Sequence, residues 1–191
     1  MSAWFRRRET EVRDDRYAST EDFRQLFDAC KGGFFRLAYA LTADRTLAQQ
    51  CVVYGLEDCR SAKAVFREWA QKWARRVIIR NAVRLLRQAT RHENIPAVRE
   101  DADIASTSDL LNELPALAPI LALPEVERVV YVLSAVEQYS TKEIALLLER
   151  LPEEIREART RATEQLAADQ VKPDMIHGAA QGRLTNIRLA V

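Results

Sequence analysis

From Glu143 to Leu166 the chain reads EIALLLERLPEEIREARTRATEQL, and its apolar residues recur three and four apart on either side of one interruption at Glu149 to Pro152. That spacing is the period of an α-helix with a single buried stripe. An interruption this short, ending in proline, leaves room only for a tight turn, so the segment is expected to fold as two crossing helices. Ile144, Leu147 and Leu148 form the inward stripe of the first, and Ile155, Ala158, Ala162 and Leu166 that of the second. Small Ala145 permits a close crossing. Glu149 occupies a turn position where glycine is the relaxed choice, so either the turn has another geometry or the glutamate carries strain.

The helical period extends through most of the chain. Five glycines and 7% aromatics in 191 residues argue against a sandwich or barrel, and the Ala, Leu, Arg and Glu content supports an all-α fold. Periodicity stops in HENIPAVREDADIASTSD, residues 92–109, where Pro, Ser, Thr, Asp and Asn accumulate. The expected organisation is therefore a tail over 1–19, a helical domain over 20–91, a linker over 92–107, a helix-turn-helix domain over 108–169 and a tail over 170–191, each domain with its own core. Ser19 or Thr20 is the expected N-cap of the first helix, and Lys31-Gly32-Gly33 an expected break. In the last tail, Leu184, Ile187 and Val191 have the spacing of one short docking turn.

Several function classes are excluded by what the residues lack. No apolar run approaches the roughly 20 residues that span a bilayer, and charge interrupts the N-terminal MSAWFRRRETEVRDDR where a signal peptide would be apolar, so a cytoplasmic protein without membrane insertion is expected. Cys30, Cys51 and Cys59 form no Cys-x-x-Cys, and His92 and His177 lie far apart, a pattern of idle or buried thiols rather than metal ligands. There is no glycine-rich phosphate loop and no nucleophile-base arrangement, so neither an enzyme nor a cofactor is expected.

Charge is distributed unevenly although the chain as a whole carries only +1. Between Arg60 and Arg91 ten bases face one acid, a net +9, whereas Asp109 to Asp169 holds twelve acids and six bases, a net −6. Such asymmetry points to nucleic acid at the basic half. Taken as one helix from Ala64 to Arg91, the segment places Lys72, Arg76, Arg80, Arg84, Arg87 and Arg91 in an arc of roughly 120° that also contains Trp69 and Trp73. Guanidinium groups interleaved with indoles suit single-stranded nucleic acid, since phosphates take the charge and unstacked bases lie on aromatic faces. A tryptophan at such a position also serves as core; Trp69 is expected partly in the core and Trp73 on the surface.

Four blocks in order carry a family resemblance. FFRLAYALTADRTLAQQCV, FREWAQKWARRVIIRNAVRLLR, LPEVERVVYVL and YSTKEIALLLERLPEEI together resemble the extracytoplasmic-function sigma factors, small two-domain specificity subunits of bacterial RNA polymerase. The resemblance covers about Phe23 to Leu166. It implies core RNA polymerase and promoter DNA as partners, and an anti-sigma factor as a further one. It also implies that the basic helix captures the non-template strand as the promoter melts.

By the same resemblance, Lys142, Arg156, Arg159 and Arg161 of the helix-turn-helix would meet duplex DNA. Glu153, Glu154 and Glu157 stand among them, where carboxylates repel phosphates but favour a helix N-terminus. DNA contact and a protein-binding scaffold therefore both remain open for this element. The family's polymerase-docking helix corresponds to Gln49, Gln50, Val53 and Tyr54, neutral and apolar where the family is acidic, which suits a contact made by other means or with another protein. The two functional readings are a sigma factor and a sigma-derived regulator or adaptor.

Overall fold

A computed structural model describes residues 16–62, 64–90 and 117–181, with side chains as far as 168. The expected linker lies outside the described residues, as does the proposed docking turn at Leu184, Ile187 and Val191. Among the described residues the only β-type contact is an isolated bridge between Tyr17 and Phe66, so the fold is all-α. No helix among them is long and apolar enough to cross a membrane.

Helix α1 spans Thr20–Thr42 and begins at a capping box: the Ser19 hydroxyl accepts from the Asp22 amide, and the Asp22 carboxylate accepts from the Ser19 amide. It runs unbroken through Gly32-Gly33, against the expected break. Two glycines cost a helix about 1 kcal/mol each relative to alanine. Burial of Phe23, Phe27, Phe34, Phe35, Leu37 and Leu41 on both sides of the pair outweighs that cost. Helix α2, Arg45–Ser61, starts from Asp44, whose side chain accepts from the Leu47 amide. It approaches the third helix closely at Gly55, where a Cβ would stand 2.9 Å from Ile78 Cγ1.

The segment expected as one helix from Ala64 is two elements. A 3₁₀ turn over Arg67–Trp69 precedes α3, Ala70–Thr90, and Ala64 itself has φ 58°. Just before α1, residues assigned to a tail are tied down: the Ala18 amide donates to Val65 O at 2.7 Å and the Arg67 amide to Arg16 O at 2.8 Å.

After the undescribed segment come α4, Ala118–Leu121, and α5, Glu125–Tyr131, which passes into a π turn over Val132–Val136. Helix α6, Thr141–Leu148, has the second capping box, between Ser140 and Glu143. Helix α7 runs Pro152–Gln181, well past the expected domain end at 169. Ile144, Ala145, Ile155, Ala158, Ala162 and Leu166 are buried, as their spacing requires.

The two cores expected from the sequence are largely one. Val129, Val130, Leu133, Ile144, Ile155 and Ala158 belong to the same buried cluster as Phe23, Phe34, Leu41 and Ile78. Its polar centre is Arg128, 7% exposed. The guanidinium donates to Leu41 O at 3.2 Å, Thr42 O at 3.4 Å and Leu123 O at 3.1 Å. It thus satisfies the orphan carbonyls at the end of α1 from within α5. A second link joins Arg75 of α3 to Glu137, which follows the π turn.

Arg128→Met keeps the apolar stem but leaves three carbonyls without that donor, and is expected to cost about 2–4 kcal/mol in urea unfolding. Arg24→Met, which removes only exposed contacts to Glu21 and Asp28, is expected to stay within about 0.5 kcal/mol. Acid should act through the two capping boxes. Hydrogen bonds from Ser19 hold Asp22, and those from Ser140 hold Glu143, below the ordinary carboxylate range. Their stabilisation is present above the unfolded-state values and lost as pH falls through the folded ones, so helix content followed by circular dichroism should drop only in the acid limb.

Candidate nucleic-acid interface

The exposed face of α3 is a row at four-residue spacing: Lys72, Arg76, Arg80 and Arg84. Successive members rise about 6 Å along the axis. The opposite face, with Ala74, Val77, Ile78, Ala82, Leu85 and Leu86, is buried, so packing against α1 and α2 leaves the charges outward. Asn81, buried on the α2 side, donates to Asp58 Oδ2 at 3.0 Å. Asp58 also lies 3.8 Å from Arg80 Nη2, and the Arg84 guanidinium sits 5.4 Å above the Tyr54 ring. These contacts bring both arginines next to α2.

At the N-terminal end of the row a cleft of about 570 Å³ is lined by Val65, Phe66, Trp69, Lys72, Trp73 and Arg76. Tyr17 stacks on Phe66 at 4.9 Å, and Phe66 meets Trp69 edge-on at 5.4 Å. The roles of the two tryptophans are the reverse of the expectation. Trp69 is 59% exposed; Trp73 packs against the core and its Nε1 is buried without a hydrogen-bond partner among the described residues. The wheel of a continuous helix puts both rings in the basic arc, as observed for Trp69; Trp73 departs from it because tertiary packing draws its ring against the core.

Arg87, also expected in the row, is engaged instead: Nη1 donates to Glu149 Oε1 at 2.8 Å and Nη2 to Leu147 O at 2.9 Å. Arg91 lies outside the described residues. Arg76 Nη2 is 4.0 Å from Glu143 Oε1, so the helix-turn-helix borders the row at both ends of α6.

On the helix-turn-helix, Lys142, Arg156, Arg159 and Arg161 are all exposed. Two of these arginines have acidic partners. Arg156 pairs with Glu153, and Arg161 with Glu127 at 2.8 Å and Glu157 at 3.8 Å. Glu154 accepts from the Leu151 amide at 2.8 Å and so caps α7. Glu149 takes the strained alternative, with φ 54° and ψ 44°.

Of the residues expected on the α2 docking surface, Gln49, Val53 and Tyr54 are partly exposed, but Gln50 is 1% exposed. Gln50, Tyr54 and Asp58 fall on one row at four-residue spacing, and that row is turned towards α3, where Tyr54 lies under Arg84. Cys51 and Cys59 are buried, and burial pushes both thiols up to about 12, far from a reactive thiolate. No protein-family model matches the sequence, and no curated protein is significantly similar to it.

The two indoles should separate in mutagenesis. Trp73→Ala is expected to lower stability by about 2–3 kcal/mol. Trp69→Ala, removing an exposed ring, should change it by no more than about 0.5 kcal/mol. Denaturant melts of both variants check this.

Proposed function

We propose that the chain is a sigma-type subunit that binds core RNA polymerase and promoter DNA, with α3 as the element that holds the melted strand. The observation that carries this reading is the exposed Trp69 at the mouth of an aromatic cleft that opens directly onto Lys72, Arg76, Arg80 and Arg84. An exposed ring gives a base a stacking surface, and the row beyond it gives the following phosphates their counter-charges. A duplex would present no free base faces to Trp69, so single-stranded nucleic acid is the better fit. The helix-turn-helix of α6 and α7 supplies a second, weaker DNA element, because the glutamates beside Arg156 and Arg161 reduce the field a phosphate would feel.

That same pairing favours a second reading for the α6–α7 unit: a surface for a protein partner in a sigma-derived regulator or adaptor. Exposed Leu146 and Leu151, at 81% and 65%, add apolar area to it. Gln49 and Val53 remain as the candidate polymerase contact on α2 in the first reading.

Two measurements separate the readings. A tagged chain should retain core polymerase on an affinity column if it is a sigma-type subunit; an adaptor should not. For α3, replacing Arg76, Arg80 and Arg84 together by alanine should weaken binding to a single-stranded oligonucleotide and reduce the salt slope by about two, since each phosphate contact contributes about 0.7. Trp69→Ala should weaken it by about 1–3 kcal/mol with the slope unchanged. An unaltered slope in the folded triple variant would mean that the row faces something other than nucleic acid.

A further inference from the structure

Glu149 has a conformation that does not suit a residue with a side chain. At φ 54° and ψ 44° it lies in the left-handed region, which glycine occupies freely. Its amide closes α6 by donating to Ala145 O, as the amide of any residue there could. The turn itself has no use for a carboxylate. The group that uses it is Arg87 of α3, 2.8 Å away, whose other terminal nitrogen is held by the Leu147 carbonyl. Together these two acceptors occupy the edge of the guanidinium that a phosphate would take.

The surroundings of this pair are open. A cleft of about 330 Å³, lined by Val83, Leu86, Val126, Val129 and Leu148 as well as Arg87, lies beside it. A second, of about 350 Å³, lies at the opposite end of the α3–α6 contact between Arg76, Ile79, Tyr139 and Leu146. Clefts thus flank the polar links between α3 and α6, while Ile144 and Ala145 of α6 stay in the common core.

We infer that Glu149 is an internal competitor for nucleic acid: its carboxylate occupies Arg87 at the C-terminal end of the basic row, and a bound strand must displace it to use that residue. The inference rests on the reading of α3 as a nucleic-acid face. An exposed ion pair is weak and screened by salt, as a competitor that yields to a polyanion must be. The exchange needs only a side-chain movement of Arg87 from a carboxylate to a phosphate.

The test uses the full chain and a fluorescent single-stranded oligodeoxynucleotide of about 12 nucleotides, within the range such surfaces cover, titrated by anisotropy. Glu149→Gly relaxes the turn and should fold at least as well. It is expected to bind about three- to fivefold more tightly than the parent, the ratio equivalent to a weak surface pair. In an Arg87→Ala background the same change should give no gain, because the contested residue is gone. An equal gain in both backgrounds would reduce the effect to general charge removal and overturn the competition, as would no gain in either. Arg80→Ala serves as the separate control: if it weakens binding while Glu149→Gly has no effect, the α3 reading stands and the competitor falls. If no variant binds the oligonucleotide, both fall together.

Discussion

The joint between the two halves of the chain depends on where the carbonyls at the end of α1 find their donors. A helix leaves its last carbonyls without intrahelical partners, and at the close of α1 those of Leu41 and Thr42 face the protein rather than water. Arg128 answers them with a planar cation that no shorter or singly pointed side chain could replace. Because Arg128 is on α5, meeting this demand fixes α5 against α1. Val129, Val130 and Leu133 then enter the same core as Phe34 and Leu41. Burial disfavours the guanidinium's charge, but its pKa starts so high that it remains a cation. Its cost is met by three oriented carbonyl dipoles, with the Glu125 carboxylate adding a favourable field.

With that joint in place, the position of the candidate interface follows. The core holds α3 from behind, so the four-residue row from Lys72 to Arg84 can only face out. The π turn brings Glu137 to Arg75, and the turn after α6 brings Glu149 to Arg87. The second half of the chain is thus tied to α3 near both ends of the basic face. Two arginines of the sequence run are consumed as structural links, and the charge available to a ligand is smaller than the composition of the segment implies.

Local signals in the sequence are legible where a few neighbouring residues decide the outcome. Ser19 caps α1 because Asp22 stands three positions on, and of the stripe from Ile144 to Leu166 only Leu147 and Leu148 are partly rather than fully buried. Expectation and structure part where a distant residue decides. Gly32-Gly33 looks like a break until the phenylalanines on either side are seen to share one core. Trp73 reads as surface because the wheel puts it in the basic arc, whereas its ring packs against a core built from distant residues. Gln50 looks like surface because its burial depends on α3. Arg128 reads as an ordinary exposed charge, since its acceptors on α1 are 86 and 87 positions away and nothing near it in the chain marks them.

The contact of Tyr54 with Arg84 gives α2 two audiences. One side of this helix offers Gln49 and Val53 outward, while the adjoining side carries the ring on which an arginine of the basic row rests. Gly55, one residue further, brings α2 so near to Ile78 that the two helices have little freedom to slide independently. A protein that grips α2 and shifts Tyr54 therefore also shifts the charge of Arg84. Under the proposed reading of α3 as a nucleic-acid face, thermodynamic reciprocity then applies: whatever factor such a protein adds to the hold on a nucleic acid, the nucleic acid adds to the hold on the protein.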